Sequence, residues 1–578
     1  MIVNPTLDTS TKNQKLNNRA VKRWERSVGV EDRLLAQPQT PEPQIQLADL
    51  QIEILDRPTM ITELLTPQNT GFILLGLLAA YYIVPYLQKS HLRDIPSPSF
   101  AAFSNLWLLL QARRGHRFLK VDEAHKKYGK LVRIAPRQVS IADDAAIQAI
   151  YGHGNGFLKS DFYDAFVSIR RGLFNTRDRE EHTRKRKTVS HTFSMKSIGQ
   201  FEQYIHQNVE LFVQQWTKLA KLNGNPRSGY ATIDALNWFN YLAFDIIGDL
   251  AFGAPFGMLE KSKDIAEMRK TPDSDPTYVQ AVEVLNRRGE VSATLGCLPR
   301  LIPYAKYLPD RFFKDGIQAV ENLAGIAVAR VNERLKPEVM AKNTRVDLLS
   351  RLMEGKDSNG NKLGREELTA EALTQLIAGS DTTSNTTCAI LYWCMSTPGV
   401  IPKLQKVLDE AIPDDVDVPT HAMVKDIPYL QWVIWETMRI HSTSAMGLPR
   451  EIPPGNPPVT ISGHTFYPGD VVSVPSYTIH RSKEIWGPDA EQFVPERWDP
   501  ARLTARQKAA FIPFSTGPRA CVGRNVAEME LLVMTGTIFR LFEFEMQQDG
   551  PMETREGFLR KPLGLIVGMK RRAAHASV

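Results

Sequence analysis

Ten consecutive residues near the C-terminus, Phe514-Ser515-Thr516-Gly517-Pro518-Arg519-Ala520-Cys521-Val522-Gly523, place one cysteine in a tight turn bracketed by glycines. The turn runs straight into an apolar stretch, Val526 to Phe542, that reads as a helix. Gly517 permits a left-handed turn, and Gly523 lets a flat body approach the backbone closely. A thiolate held there is stabilised by the N–H groups that open the helix. Such a sulfur is suited to binding a metal.

Three further stretches carry chemistry-bearing residues. In Ala378-Gly379-Ser380-Asp381-Thr382-Thr383, a glycine, an acid and hydroxyls interrupt an apolar helical pattern. Gly379 costs about 1 kcal/mol relative to alanine there. Thr382 can bond back to a carbonyl one turn earlier and bend the helix, leaving a groove for a small molecule. Glu436-Thr437-Met438-Arg439 sets an acid and a base three apart, flanked by Trp432, Val433, Ile434 and Trp435, which implies a buried pair that needs further partners. Between Arg177 and Lys187, His182 and Arg186 share one helix face while Arg184, Lys185 and Lys187 project elsewhere.

The elements that position these residues follow from the rest of the chain. Its 578 residues, 43% hydrophobic and 23% charged, suffice for a large buried core. A net charge of +7 is modest at this size and is no signature of nucleic-acid binding. The four cysteines, Cys297, Cys388, Cys394 and Cys521, have no disulfide or C-x-x-C spacing, which implies a reducing compartment. Residues 1–59 read as a polar, disordered extension with Pro38, Pro41 and Pro43, and the composition break makes Met60 a candidate true start. Thr70 to Leu87 is uncharged and long enough to approach a bilayer span, with Tyr81, Tyr82 and Tyr86 toward one end. Lys89 and Arg93 then place the large C-terminal part in the cytosol. Residues 60–94 are thus a membrane anchor and hinge, and 95–578 the main domain.

That domain reads as mainly α with small β-sheets. Helical patterns run over His116–Tyr128, Ser197–Leu222, Ile233–Ala251, Phe312–Leu335, Leu368–Met395 and Leu430–Ile440. A hairpin is expected across Leu131–Ile141, turning at Pro136-Arg137. Short strand signals occur at Thr460–Ile461, Thr465–Phe466 and Val471–Val474.

The pattern F-x-x-G-x-R-x-C-x-G resembles the haem-binding loop of the cytochrome P-450 family. The other motifs follow in the family's order, over roughly residues 95 to 570. The resemblance implies the cytochrome P-450 fold behind a single transmembrane helix, with haem (iron protoporphyrin IX) as cofactor and Cys521 as its axial ligand. Phe514, Gly517 and Gly523 belong to that loop; Arg186, Arg450 and Arg519 match arginines that meet the haem propionates. His182 stands where the family's C-helix has tryptophan. By the same match Thr382 hydrogen-bonds the dioxygen being activated, Asp381 relays protons, and Glu436, Arg439 and Arg497 form a structural network.

Tyr151-Gly152-His153-Gly154, Phe157 to Phe166, Arg170 to Asp178 and His182 to Ser194 resemble the fungal benzoate 4-monooxygenase subfamily more closely. That resemblance implies para-hydroxylation of benzoate or a close aromatic acid, with electrons from NADPH through a flavoprotein reductase. It also implies an endoplasmic reticulum location, membrane lipid contact and cytochrome b5 as a further partner. Arg184, Lys185 and Lys187 are expected to steer the acidic reductase. A buried carboxylate needs donors, and Ser442, Thr443, Ser444, Tyr163, Ser168 and Arg170 are the candidates. Alternatives are a monooxygenase acting on another aromatic or apolar substrate, a thiolate-haem isomerase or peroxygenase, and a non-enzymatic membrane haem-binding or sensor protein.

Overall fold

The structure, a computed structural model, describes residues 67–342, 345 and 347–575. The expectations for residues 1–59 and for Met60 lie outside these residues. The chain divides into two units, Met1–Leu77 and Leu78–Val578. Helix α1, Pro67–Gln88, contains the uncharged run. Its Asn69–Gln88 portion has a mean hydropathy of 1.8 and is long and apolar enough to cross a membrane.

The large unit is built on long helices: α2 (Arg179–Ser190), α3 (Ala235–Phe252), α4 (Ala281–Gly296), α5 (Arg311–Arg334), α6 (Arg365–Ser396), α7 (Pro428–Ile440) and α8 (Arg524–Leu541). Helix α6 runs through the middle of the body, and α3, α5, α7 and α8 all pack against it. Helix α3 is apolar on nearly every side, as a helix enclosed by others must be, whereas the equally enclosed α6 buries acids and hydroxyls such as Glu367, Glu371 and Thr383, and the amide of Asn385. The expected helix over Ile233–Ala251 begins as a strand, Ala231–Asp234. Asp234 then caps α3 by accepting the Leu236 N–H at 3.1 Å, which fixes the switch from strand to helix. The pattern over Ser197–Leu222 is likewise two helices, Met195–Ile198 and Glu202–Asn223, with Gly199 ending the first.

A five-stranded sheet flanks the helices. Strands β1 (Leu131–Ala135) and β2 (Gln138–Ile141) form the expected antiparallel hairpin. Strands β3 (Leu158–Lys159), β4 (Arg450–Glu451) and β5 (Val471–Ser473) complete it, in the order β1-β2-β5-β4-β3. The pairs β3 and β4 are too short to leave a period in the sequence. Their register places Lys159 opposite Arg450. A separate hairpin pairs Thr554–Glu556 with Arg560–Pro562 and packs on α6.

Gly379 is explained by helix packing. A Cβ there would lie 2.6 Å from Ile247 Cδ1 and 2.8 Å from its Cγ1, so α3 and α6 meet where no side chain fits. The glycine brings two helices together, and the expected groove is not its cause. The expected back-bond is present: the Thr382 hydroxyl donates to the Ala378 carbonyl at 2.7 Å. Gly379→Ala should therefore destabilise the holoprotein by about 1–3 kcal/mol despite the better helix propensity. Ile247→Ala in the same chain should return part of that loss in thermal unfolding. Strict additivity of the two changes would refute the contact as the cause.

Candidate active site

The cysteine loop is held from behind by a buried ion network. Glu436 and Arg439, both with no exposed surface, meet through two bonds, Nε to Oε2 at 2.9 Å and Nη2 to Oε1 at 2.7 Å. Arg439 also donates to the carbonyls of His480, Ala490 and Gln492. Glu436 accepts from Val494 N–H, Trp498 Nε1–H and Arg497 Nε–H. Nearly every donor and acceptor of the pair is used, which offsets the cost of burying both charges. His480 extends the network toward the loop: its Nε2 accepts the Ile512 N–H at 3.0 Å, so its Nδ1–H is the donor to Ser442 Oγ at 2.6 Å. Burial and neighbouring Arg439 push this imidazole down to about 3, keeping it neutral.

Within the loop, Gly517 adopts a φ of 70°. A Cβ there would sit 1.9 Å from the Tyr151 carbonyl, so shape and conformation both require glycine. The Cys521 N–H donates to the Phe514 carbonyl at 2.9 Å, closing the loop. Cys521 as a residue keeps solvent-accessible surface, while its sulfur lies in a densely packed part of the chain. Desolvation raises its thiol, while the Gly523 N–H and the charges of Arg186 and Arg524 oppose that rise. The loop alone therefore leaves the sulfur a thiol; a coordinated metal ion would complete its deprotonation.

Beside it, basic groups converge from four places in the chain: Lys159 on β3, His182 and Arg186 on α2, Arg450 on β4, and Arg519 in the loop. Arg186 donates to the Ala520 carbonyl. Arg519 is held by the carbonyls of Thr176, Arg177 and Asp178. Arg450 donates to Tyr163 Oη at 3.1 Å. Lys159 and Arg450, cross-strand partners, are both buried, and like charges so placed repel. Burial, then Arg450, Arg519 and Arg186, push Lys159 well below its usual range. Burial, then Arg519, Lys159, Arg186 and Arg450, bring His182 down to about 3. Among the described residues no ion pair reaches Lys159, Arg186, Arg450 or Arg519. Such a cluster is arranged for an anion of more than one charge.

On α6, Ala378 is exposed although the residues around it are buried or half-buried. The same stretch carries Thr382 and Asp381. Desolvation raises the Asp381 carboxyl, with Lys561 and the Asn385 amide opposing. Asn385 Nδ2–H donates to it at 3.0 Å. The next hydroxyl, Thr383, donates to Glu530 of α8 at 2.8 Å, and burial lifts that acid to about 7. Helices α6 and α8 are thus linked by a polar contact directly behind the acid–threonine pair.

A family profile described as Cytochrome P450 matches residues 96–569. The chain belongs to this family. Among relatives, the benzoate 4-monooxygenase bphA of Aspergillus niger is 85% identical over 513 residues, 89% of this chain and 99% of the relative. A cytochrome P450 monooxygenase of Penicillium roqueforti is 31% identical over 83% of this chain and 95% of its own length. One of Aspergillus flavus is 28% identical over 87% and 97%.

The residues present fit the family's haem. Among the described residues no cluster of three or more His, Cys, Asp or Glu is arranged to hold a bare metal ion. A lone thiol ligand therefore suits a metal whose other ligands come with it. The uncompensated cations suit the two propionates. Gly523 has an ordinary φ of −85°, and a Cβ there would approach only the Phe193 ring, at 3.9 Å. No protein contact demands glycine at this P450 position, which agrees with close approach of a flat macrocycle.

Several expectations need revision. Lys185 is buried and paired with Glu367 and Glu371, and Arg184 is bonded to Glu181 and Glu367, so these two tie α2 to α6 and are not free to steer a partner. Lys187 alone of the three is exposed. The Ser442 hydroxyl is taken by His480 and the Arg439 carbonyl. Ser444 accepts from Ser476 through its backbone carbonyl and Tyr163 accepts from Arg450, contacts that use neither residue's own hydroxyl proton. Arg170 lies 3.7 Å from Glu367. Ser168 lines a cavity of about 520 Å³ with Ile169, Met268 and residues of α5 and the first turn of α6. Thr443, 3.1 Å from Thr386 on α6, is the member of the hydroxyl group beside the distal helix.

Lys159, Lys561 and Glu530 escaped the sequence reading. Their signal was charge inside largely apolar or β-forming stretches, visible but silent about partners. Two outcomes follow. Cys521→Ser should fold yet lose the carbon monoxide difference band of thiolate-ligated haem; a full band would overturn the ligand assignment. Because His480 is neutral in the fold, its contribution is complete above about pH 6.5 and is lost progressively as pH falls toward 3. Urea unfolding at pH 7.5 and pH 5 should show that loss in the parent protein and less of it in His480→Gln; equal losses would remove His480 as its source.

Proposed function

We propose that the chain is a membrane-anchored haem-thiolate monooxygenase that converts benzoate to 4-hydroxybenzoate. The observation that carries the substrate is the 85% identity, over 99% of the relative's length, to a benzoate 4-monooxygenase. The overall change consumes benzoate, dioxygen, two electrons and two protons, and yields 4-hydroxybenzoate and water. The electrons come from NADPH through a flavoprotein reductase, with cytochrome b5 as an accessory donor. Helix α1 anchors the enzyme in the endoplasmic reticulum with its body in the cytosol, a reading supported by the apolar span.

Haem, when bound, supplies the dioxygen chemistry. The chain's own residues do the rest. Cys521 would give the sulfur ligand that tunes that chemistry. Arg186, Arg450, Arg519, Lys159 and His182 hold the propionate edge. Thr382, its proton donated to the Ala378 carbonyl, presents oxygen lone pairs to the distal space. The raised carboxyl of Asp381 retains a proton more readily than a surface acid, and Asn385 fixes its orientation. It is placed to hand protons toward Thr382, its neighbour in sequence. The Thr383–Glu530 contact keeps this turn of α6 in place.

Titrating the purified holoprotein with benzoate should shift its haem from low to high spin. Turnover with reductase and NADPH should then release 4-hydroxybenzoate, seen by chromatography. Haem that binds carbon monoxide normally but gives neither response with benzoate would refute the substrate assignment.

A further inference from the structure

Para-hydroxylation sets a geometric condition: the carboxylate lies at the opposite end of the ring from the carbon that reacts. The group that binds it must then sit on the roof of the distal space, away from the propionate cations. The roof can be followed from α6 outward. Lys561, on the hairpin packed against α6, acts electrostatically on Asp381. The hairpin's turn meets α4, since a Cβ on Gly557 would lie 2.9 Å from Glu290 N. Phe558 in that turn packs edge-on against Phe166 and Phe174, with centroids 5.2 and 5.0 Å away. Helix α4 also closes over Phe162, which packs against Phe166 with centroids 5.3 Å apart: a Cβ on Gly296 would be 2.6 Å from the Phe162 ring.

On this face of α4 stands Arg288, 5% exposed. One of its N–H groups donates to the Phe166 carbonyl at 2.9 Å, and its Cζ lies 5.4 Å from the Phe166 ring centroid. Its Nε–H has no partner. Among the described residues no acid pairs with it, and burial alone lowers it to about 10. One turn on, Ser292 is 1% exposed and its hydroxyl is also unpartnered. Residues four apart share a helix face. A buried guanidinium and a buried hydroxyl, both with spare donors and no counter-ion, complement a carboxylate.

The other buried cations of the roof stand in different surroundings, and Arg560, whose Nη1 is unpartnered, has among the described residues no unpartnered hydroxyl one turn away on a helix as Arg288 has. Arg117 pairs with Glu556 at 3.1 Å. Arg560 lies between the rings of Phe118 and Tyr477. Burial lowers Lys561, and the nearby Asp381 and Glu290 carboxyls oppose that lowering.

We propose that Arg288, with Ser292, binds the carboxylate of the aromatic acid substrate, its ring lying against the Phe166–Phe174–Phe558 cluster. The proposal rests on the benzoate reading and names the anchor that reading requires. It makes Arg288 a specificity determinant: the acid is accepted because it supplies the missing counter-charge, and neutral rings gain nothing from it.

The test titrates haem spin state in the holoenzyme with benzoate and with uncharged methyl benzoate. Arg288→Met should weaken benzoate about tenfold or more and leave methyl benzoate within about threefold. Arg288→Lys should restore part of the benzoate affinity. Ser292→Ala should weaken benzoate alone, by about fivefold. Should Arg288→Met fail to incorporate haem, Arg288→Lys and Ser292→Ala decide by the same comparison. Unchanged benzoate affinity, or equal losses for both ligands, would overturn the anchor while parent binding of benzoate kept the substrate reading. A parent enzyme that binds methyl benzoate and not benzoate would instead end both.

Discussion

The fold depends on one carboxylate–guanidinium contact that water never reaches. Glu436 and Arg439 lie on α7, three residues apart, yet most of their bonds go to a different part of the chain, the irregular segment from His480 to Trp498. That segment has little regular structure to satisfy its own carbonyls, and Arg439 satisfies three of them. Removing either charge would leave the other buried and unpaired, a loss of about 3–5 kcal/mol. The contact is therefore less a source of net stability than a constraint on conformation. It fixes where the chain stands as it enters the cysteine loop, and His480 carries that constraint onward to Ile512, nine residues before the sulfur.

The second constraint has the opposite character. Around the loop the structure gathers Lys159, His182, Arg186, Arg450 and Arg519 without acids to balance them. Where the Glu436 network closes its own account, this cluster is unfavourable in the protein alone. Burial depresses Lys159 and His182, and the β3–β4 register places two cations side by side. A dianionic cofactor reverses each of these penalties at once. On the proposed reading haem would be part of the electrostatic design of the fold as well as the reagent, its propionate edge complementing charges brought together from β3, α2, β4 and the loop.

Much of this was legible from residue types. The cysteine loop, the Glu436–Arg439 pair and the Thr382 back-bond follow from local pattern, because each depends on residues within about one turn or one short loop of each other. What was not legible depends on tertiary partners. Gly379 looked like a helix weakness near a groove; only the approach of Ile247 shows it to be a packing notch. Arg184 and Lys185 looked like a solvated basic face, and only Glu367 and Glu371, some 180 residues on, make them internal. Ser442 looked like a pocket donor until His480 was seen to occupy it. Short strands such as β3 and β4 carry no period, so the meeting of Lys159 and Arg450 could not be foreseen.

These cases suggest how specificity divides from chemistry in this chain. The acid–threonine turn and the segment behind the cysteine loop rest on helices held by buried polar contacts: α7 through Glu436, α6 through Lys185 and Glu530. Arg288 and Ser292 differ, because their donors are spare and their neighbours are aromatic faces and a backbone carbonyl. A buried cation with one neutral partner is tolerated only where a ligand returns the missing interaction. By that reasoning the same physical signature, unbalanced buried charge, marks two ligands in one body. Many cations on the loop side match a cofactor that stays; one cation under α4 matches an anion that must also leave. Weak compensation in the empty roof is what allows a small acid to bind measurably there, and a single charge is what allows its hydroxylated product, which carries the same carboxylate, to depart.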